Sequence, residues 1–203
     1  MILTSKFIYD LLNSKGDLNL LFIGLSLNLI IWTKAEGIAF FFIALICLNL
    51  IKNISLSQKL KFSAFMIFLL GFKIFIFSAY NIKLNNQPYY LEYLLSISFE
   101  DLIYKIINIT LYLGYNSLVN VIFIILPIII LFKINKIFED DFLKTNLIFY
   151  ILNVIFIFLA YILRDMEVVY SLETTLDRLI FASSGFYLFF IAKNIKKLFP
   201  KID

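Results

Sequence analysis

The sequence predicts an all-α integral membrane protein, a polytopic helical bundle of about six spans in a single domain over residues 1–203, with an amphipathic helix on the outer membrane surface. Three observations carry this expectation. Apolar residues make up 62% of the chain and Phe alone occurs 24 times, where a soluble domain uses about 45–50% apolar residues. Mean hydropathy is +0.94. The apolar residues fall in runs near bilayer length, and the lysines gather in short segments between them. Composition also excludes chemistry. There is no histidine, so His-ligated metal sites and His general bases are ruled out. Cys47 is the single cysteine, so it forms no intrachain disulfide and packs as a small hydrophobe in an apolar helix. The carboxylates are scattered without the spacing of a metal site, and no cofactor is implied. A net charge of +4 does not indicate nucleic acid, because the lysines flank hydrophobic stretches. Residues 1–16 lack the long apolar core and small-residue cleavage site of a cleavable signal.

In chain order, the apolar runs predict spans near Leu18–Trp32, Gly37–Ile51, Phe62–Tyr80, Ser117–Phe132, Thr145–Leu163 and Leu179–Ala192. A full crossing takes about 20 residues. Phe62–Tyr80 and Thr145–Leu163 reach that length alone, whereas the first two runs and the last must borrow flanking residues or thin the bilayer. The alternative reading of Leu18–Ile51 is a single re-entrant hairpin, which leaves the orientation of everything after it unchanged. Pro127 lies inside the fourth run and is expected to bend it. The Phe residues read as lipid-facing or packing side chains.

Charge asymmetry orients the spans. Lys52, Lys59 and Lys61 crowd one connection, Lys133, Lys136 and Lys144 another, and Lys193, Lys196, Lys197 and Lys201 the tail. The positive-inside bias assigns these three segments to the cytoplasmic side. Asn81–Asn116, Arg164–Arg178 and the Thr33–Glu36 turn then face outward. Lys73, within the third span, lies in the outer half, where it snorkels or lines a polar interior. In the outer segment, Glu92, Ser96, Glu100 or Asp101, Lys105 and Asn108 recur every three to five residues among Tyr, Leu and Ile. That is a helix period with a narrow polar face. It predicts an amphipathic helix from Tyr89 to Asn108, begun by Pro88 and anchored by Tyr89, Tyr90 and Tyr93.

Lys34 and Glu36 interrupt the apolar sequence between Leu20 and Ile51. A charge at the centre of a bilayer helix costs about 2.5–3.5 kcal/mol, so the pair needs a reason to be there. Thr33 and Glu36 have the spacing of a capping box ahead of Gly37–Ile51, and Thr174 and Asp177 repeat it ahead of Leu179–Ala192. Each box leaves one cation over, Lys34 in the first and Arg178 in the second. Two readings stand open for these cations. They are ordinary interface anchors, or they converge near helix N-termini as a phosphate site.

The segment Trp32-Thr33-Lys34-Ala35-Glu36-Gly37 and the Phe-rich run after it resemble the Thr-Lys-x-Glu-Gly segment of bacterial membrane glycosyltransferases that use polyprenyl-phosphate sugars, the protein-mannosyltransferase-like branch of the C-type superfamily. Leu172-Glu173-Thr174-Thr175-Leu176-Asp177-Arg178-Leu179 is similar to a Thr-Ser-Leu-Asp-Arg-Leu segment near the end of those proteins. The resemblance covers nearly the whole chain but only the C-terminal portion of the family architecture. It implies a lipid-phosphate donor bound at the outer face of a bacterial inner membrane, with Lys34 and Arg178 on the phosphate and Thr33, Glu36, Thr174 and Asp177 in support.

The chain departs from that family at three points. The acid that members carry in a first outward loop has no upstream span to hang from. Ser171 stands nearest the place of a frequent histidine, and Thr175 replaces the serine. The expectation is a glycosyltransferase-like protein that binds polyprenyl-phosphate sugar better than it turns it over, in a truncated or split form, with a second polypeptide carrying the missing N-terminal helices. Glu36, Asp165, Glu167 and Glu173 are the outward candidates for a general base, and none is assigned. The competing expectation is a non-enzymatic membrane subunit or lipid-binding scaffold.

Overall fold

The computed structural model describes residues 1–14, 16–33, 37–51, 54–82, 91–136 and 139–198. Nine α-helices are found among them: α1 (Ile2–Ser14), α2 (Asp17–Thr33), α3 (Gly37–Leu50), α4 (Leu56–Ala79), α5 (Leu91–Ser96), α6 (Phe99–Val119), α7 (Val121–Phe132), α8 (Asp141–Ile162) and α9 (Val168–Leu198). None of the described residues belongs to a β-strand. Three helices, α4, α8 and α9, are long and apolar enough to cross a membrane, and α6 with α7 adds a fourth crossing if the pair counts as one span. At 17 and 14 residues, α2 and α3 are about 25 and 21 Å long, below the ~30 Å of a hydrocarbon core.

The helix ends explain where the boundaries fall. Ser55 caps α4 and shares a reciprocal capping box with Gln58, satisfying two amides that the first turn would leave unpaired. Beyond its last residue, Ala79, and the cap Tyr80, the chain turns at Asn81, whose φ of 53° is left-handed. The Ile82 amide reaches the Phe77 carbonyl at 2.8 Å and that of Asn81 reaches Ser78 at 3.2 Å, the two bonds of a Schellman ending. Ser98 caps α6 and Asp140 caps α8.

Three sequence expectations need correction here. The last helix begins at Val168, eleven residues before Leu179, because Glu167 accepts from the Val169 and Tyr170 amides at 3.2 and 2.9 Å. Thr174 and Asp177 are therefore inside α9 and cap nothing. Thr174 donates to the Tyr170 carbonyl one turn back. The sharp bend before α7 is a 95° break between α6 and α7 at Asn120, while Pro127 is carried inside α7. Finally, the described part of the helix predicted over 89–108 is two helices, α5 and α6, parted at Ile97 and Ser98, and the second runs on to Val119; Pro88, Tyr89 and Tyr90 lie outside the described residues. Lys105 of α6 is buried in the bundle, and an apolar stripe of Tyr104, Ile107, Leu111, Tyr115 and Leu118 is exposed instead.

α9 is the hub, packing on α1, α6, α7 and α8, while α4 leans mainly on α2. Burial follows: 56% of the apolar window of α9 is covered against 17% for α4. The core is aromatic. Phe149 stacks on Phe186 with centroids 3.8 Å apart, Phe40 and Tyr187 pack against Phe149, and Phe123 packs on Tyr187. Gly37 permits a close approach of α3 to α2, since a Cβ there would lie 2.3 Å from the Ile30 carbonyl oxygen. The α2–α3 hairpin is thus held against its own backbone.

Contacts between helix ends sort the bundle into two poles. At one, Gln58 donates to Asp17 at 2.6 Å, joining the starts of α4 and α2, and Lys133 donates to Asn194, joining the end of α7 to α9. At the other, the end of α4 meets the end of α2 and α6 meets the end of α8, each through a buried lysine.

Candidate functional site

Helix ends leave carbonyls without intrahelical partners, and this chain fills three such ends with lysines from other helices. Lys59 of α4 donates to the Asn49 carbonyl at the end of α3 at 2.6 Å. Lys73, 3% exposed, donates to the Ile31 carbonyl at the end of α2 and lies 4.9 Å from the Phe77 ring centroid. Lys105, 4% exposed, donates to the Arg164 carbonyl at 2.6 Å and to that of Ile162 at 3.4 Å, just past the end of α8, with its ammonium 4.4 Å from the Tyr93 ring centroid. A cation there also meets the negative end of the helix dipole.

A second polar cluster fastens α8 to α9. Thr175 donates to the Ser171 carbonyl at 2.8 Å, so its oxygen is left to accept from Tyr161 at 2.7 Å and from Arg164 Nη1 at 3.1 Å. The Arg164 guanidinium is buried and lies 4.9 Å from the Tyr161 ring centroid. Beside it, Tyr112 of α6 donates to Glu173 at 2.9 Å.

Arg178 behaves differently from these cations. It is exposed on α9, and no hydrogen bond or ion pair joins it to any described residue. It lines a groove of about 1190 Å³ between the start of α1, α2, the α6–α7 junction and α9. The walls are apolar, with Leu29, Ile30, Val121, Ile122, Phe181 and Leu188, and the polar contributors include Asn116, Asn120, Asp177 and Arg178. Among the described lining residues, Asp177 is the sole carboxylate. A long apolar trough with few polar groups suits an amphiphile.

Of the site residues expected from sequence, Arg178 and Asp177 come together on the groove wall, and Thr174 lies outside its lining. Thr33 closes α2. Lys34 and Glu36 fall outside the described residues, and so do the first capping box and the separation of Lys34 from Arg178. Ile30, four residues before Lys34, lines the same groove as Arg178. Sequence reasoning missed the groove, because its walls are contributed by four separate parts of the chain. No group of three or more potential metal-ligating side chains is found among the described residues. Comparison with protein-family models, curated proteins and solved structures finds no match for this chain.

Proposed function

We propose that this chain is a glycosyltransferase-like membrane protein that binds a polyprenyl-phosphate-linked sugar at the outer face of a bacterial inner membrane. The observation that carries the reading is the exposed Arg178 guanidinium on the wall of an apolar groove of about 1190 Å³. In the proposed complex the prenyl chain fills the trough beside Phe181 and Leu188, and the phosphate meets Arg178. Lys34, four residues after Ile30 in the sequence, is assigned to the same phosphate, with Thr33 and Glu36 in support. Negative charge grows on that phosphate as it becomes a leaving group, which is where fixed cations help most. The Lys-rich connections face the cytoplasm, and the pole holding Ile31, Lys73, Lys105 and Arg164 faces outward. The α2–α3 hairpin enters the bilayer without a full crossing, in keeping with its short helices. The exposed stripe of α6, with Tyr104 and Tyr115, rests in the membrane interface.

General-base duty is left unassigned. Glu167 is held by the first amides of α9 and Glu173 by Tyr112, so transfer depends on another carboxylate of this chain or on a second polypeptide. A non-enzymatic lipid-binding subunit is the second reading. It is favoured by Lys73 and Lys105 being committed to helix-end carbonyls instead of converging on the groove. Both readings need the lipid-phosphate site. Calorimetry with polyprenyl phosphate on the full chain in nanodiscs tests it: Lys34→Gln with Arg178→Gln should cost about 1.5–3 kcal/mol per lost charged hydrogen bond. Unchanged affinity in the double variant rejects the site. Sugar release from a polyprenyl-phosphate hexose then separates enzyme from scaffold.

A further inference from the structure

Two flanks of the bundle differ in apolar height. On α4, Tyr80 follows Lys61 by nineteen residues, a rise of about 28 Å, and Ile67, Phe68, Phe72 and Phe75 are exposed between them. That flank nearly matches the ~30 Å hydrocarbon core of a bilayer. On the groove flank, Arg178 stands fifteen residues before Lys193 on α9, a height of at most about 22 Å, since tilt only lowers it. The whole of α7, from the groove to Lys133, is 12 residues, about 18 Å. Lys61, Lys133 and Lys193 share one pole, the one marked by the Gln58–Asp17 and Lys133–Asn194 contacts.

A bilayer of even thickness would therefore submerge the polar end of the groove by about 8 Å. Two independent features resist that. Met1, Asp177 and Arg178 bring an ammonium, a carboxylate and a guanidinium to the lining, and no ion pair joins them to one another. Unpaired charges at such depth draw headgroups and water inward and thin the leaflet above them. No side-chain bond caps the start of α7, and Asn120, Val121 and Ile122 at that start line the same groove. Uncapped backbone at membrane depth is tolerated only against protein or beside a water-filled cavity.

Resting on the lipid-phosphate reading above, we infer that the groove flank holds a locally thinned, hydrated outer leaflet, and that a lipid phosphate descends through it to reach Arg178. The α4 flank keeps the full bilayer thickness. Binding then depends on the surrounding membrane: the thicker the bilayer, the farther the phosphate must leave the headgroup plane.

Two measurements on the full chain in nanodiscs test this. Val121→Cys on the groove and Phe75→Cys on α4 replace side chains that are 59% and 68% exposed. In dioleoyl phosphatidylcholine, a membrane-impermeant maleimide should modify Val121→Cys and leave Phe75→Cys untouched, because a thiol reacts as its thiolate and the thiolate forms in water. The wild type, whose Cys47 is buried, is the blank, and Leu29→Cys on the α2 wall of the groove stands in if Val121→Cys fails to fold. The second measurement is calorimetry with polyprenyl phosphate, whose affinity should be about tenfold tighter in dimyristoleoyl than in dierucoyl phosphatidylcholine, given mismatch costs that accumulate per ångström. Equal labelling at the groove and on α4 would overturn the thinning. So would an affinity indifferent to thickness, and in either case a loss of binding in Arg178→Gln would leave the lipid-phosphate site standing. Insensitivity to Arg178→Gln in every bilayer would take down that site and this inference together.

Discussion

At the end of α2, the Lys73 ammonium is 3% exposed and donates to the Ile31 carbonyl; on the groove wall, the Arg178 guanidinium is exposed and has no bonding partner among the described residues. Both are cations in strongly apolar sequence, and their energetics run in opposite directions. The lysine at a helix end offsets its desolvation with a charge-assisted bond to a carbonyl that would otherwise be left without a donor. Arg178 contributes no such contact, so its position is free to serve a ligand. Charge in a bilayer helix thus has two meanings here, and the bonding partner distinguishes them.

The largest effect should come from the hairpin on which one side of this contrast is built. Gly37→Ala places a Cβ 2.3 Å from the Ile30 carbonyl oxygen and 2.9 Å from the Ile31 nitrogen. Those are backbone atoms, so no rotamer change relieves the clash. Overpacking of this kind should destabilise the protein by about 3 kcal/mol, read as a lower midpoint in denaturant titration of the micellar protein. A variant as stable as the wild type would mean that α2 and α3 do not approach this closely, and the α2 end that Lys73 covers would need redrawing.

Next come the buried helix-end lysines. Lys105→Met and Lys73→Met each remove the donor from a buried carbonyl while removing a buried charge, two terms of opposite sign. The orphaned carbonyls should prevail, with a loss of about 1–2 kcal/mol each, and Lys105→Met should be the worse because two carbonyls share its ammonium. A gain in stability for either variant would show that burying the cation costs more than the cap returns. Lys59→Met, at a half-buried cap, should cost only about 0.5 kcal/mol. A larger loss there would erase the link between burial and effect.

How much of this was legible in the sequence depends on the distance over which each signal acts. Phe62–Tyr80 and Thr145–Leu163 correspond to α4 and α8 because an apolar run is a local property. The start of α9 was hidden for a local reason too: Glu173, Asp177 and Arg178 make 168–178 look like a polar connection, although all three are exposed on a helix whose other residues, Leu172 and Leu176, are buried. Ser55 and Gln58 have the same serine-or-threonine to glutamine-or-glutamate spacing as Thr33 and Glu36, yet stand in a lysine-rich connection where charge is the stronger signal. The lysine caps were out of reach altogether. Lys73 and Ile31 are 42 residues apart, and Lys105 and Ile162 are 57 apart, so only the tertiary packing pairs them. The groove is non-local in the same sense, and only Asp177 and Arg178 in it stood out beforehand.

The smallest stability effect is expected on the other side of the comparison, and it is the most discriminating. Arg178→Gln removes no hydrogen bond and no ion pair to the described residues, and the substituent keeps a long polar side chain on an exposed helix face. Stability should change by no more than about 0.5 kcal/mol, the usual range for surface positions. If Arg178 is instead a membrane anchor or a hidden structural cation, the same substitution should lower the denaturation midpoint as Lys73→Met does. Stability and binding must therefore be measured on the same preparation. Unchanged stability with weakened polyprenyl-phosphate binding sets Arg178 apart from the capping lysines, for which the two measurements should fall together. Loss of stability in Arg178→Gln would merge the two classes of cation and remove the reason for assigning a ligand to the groove.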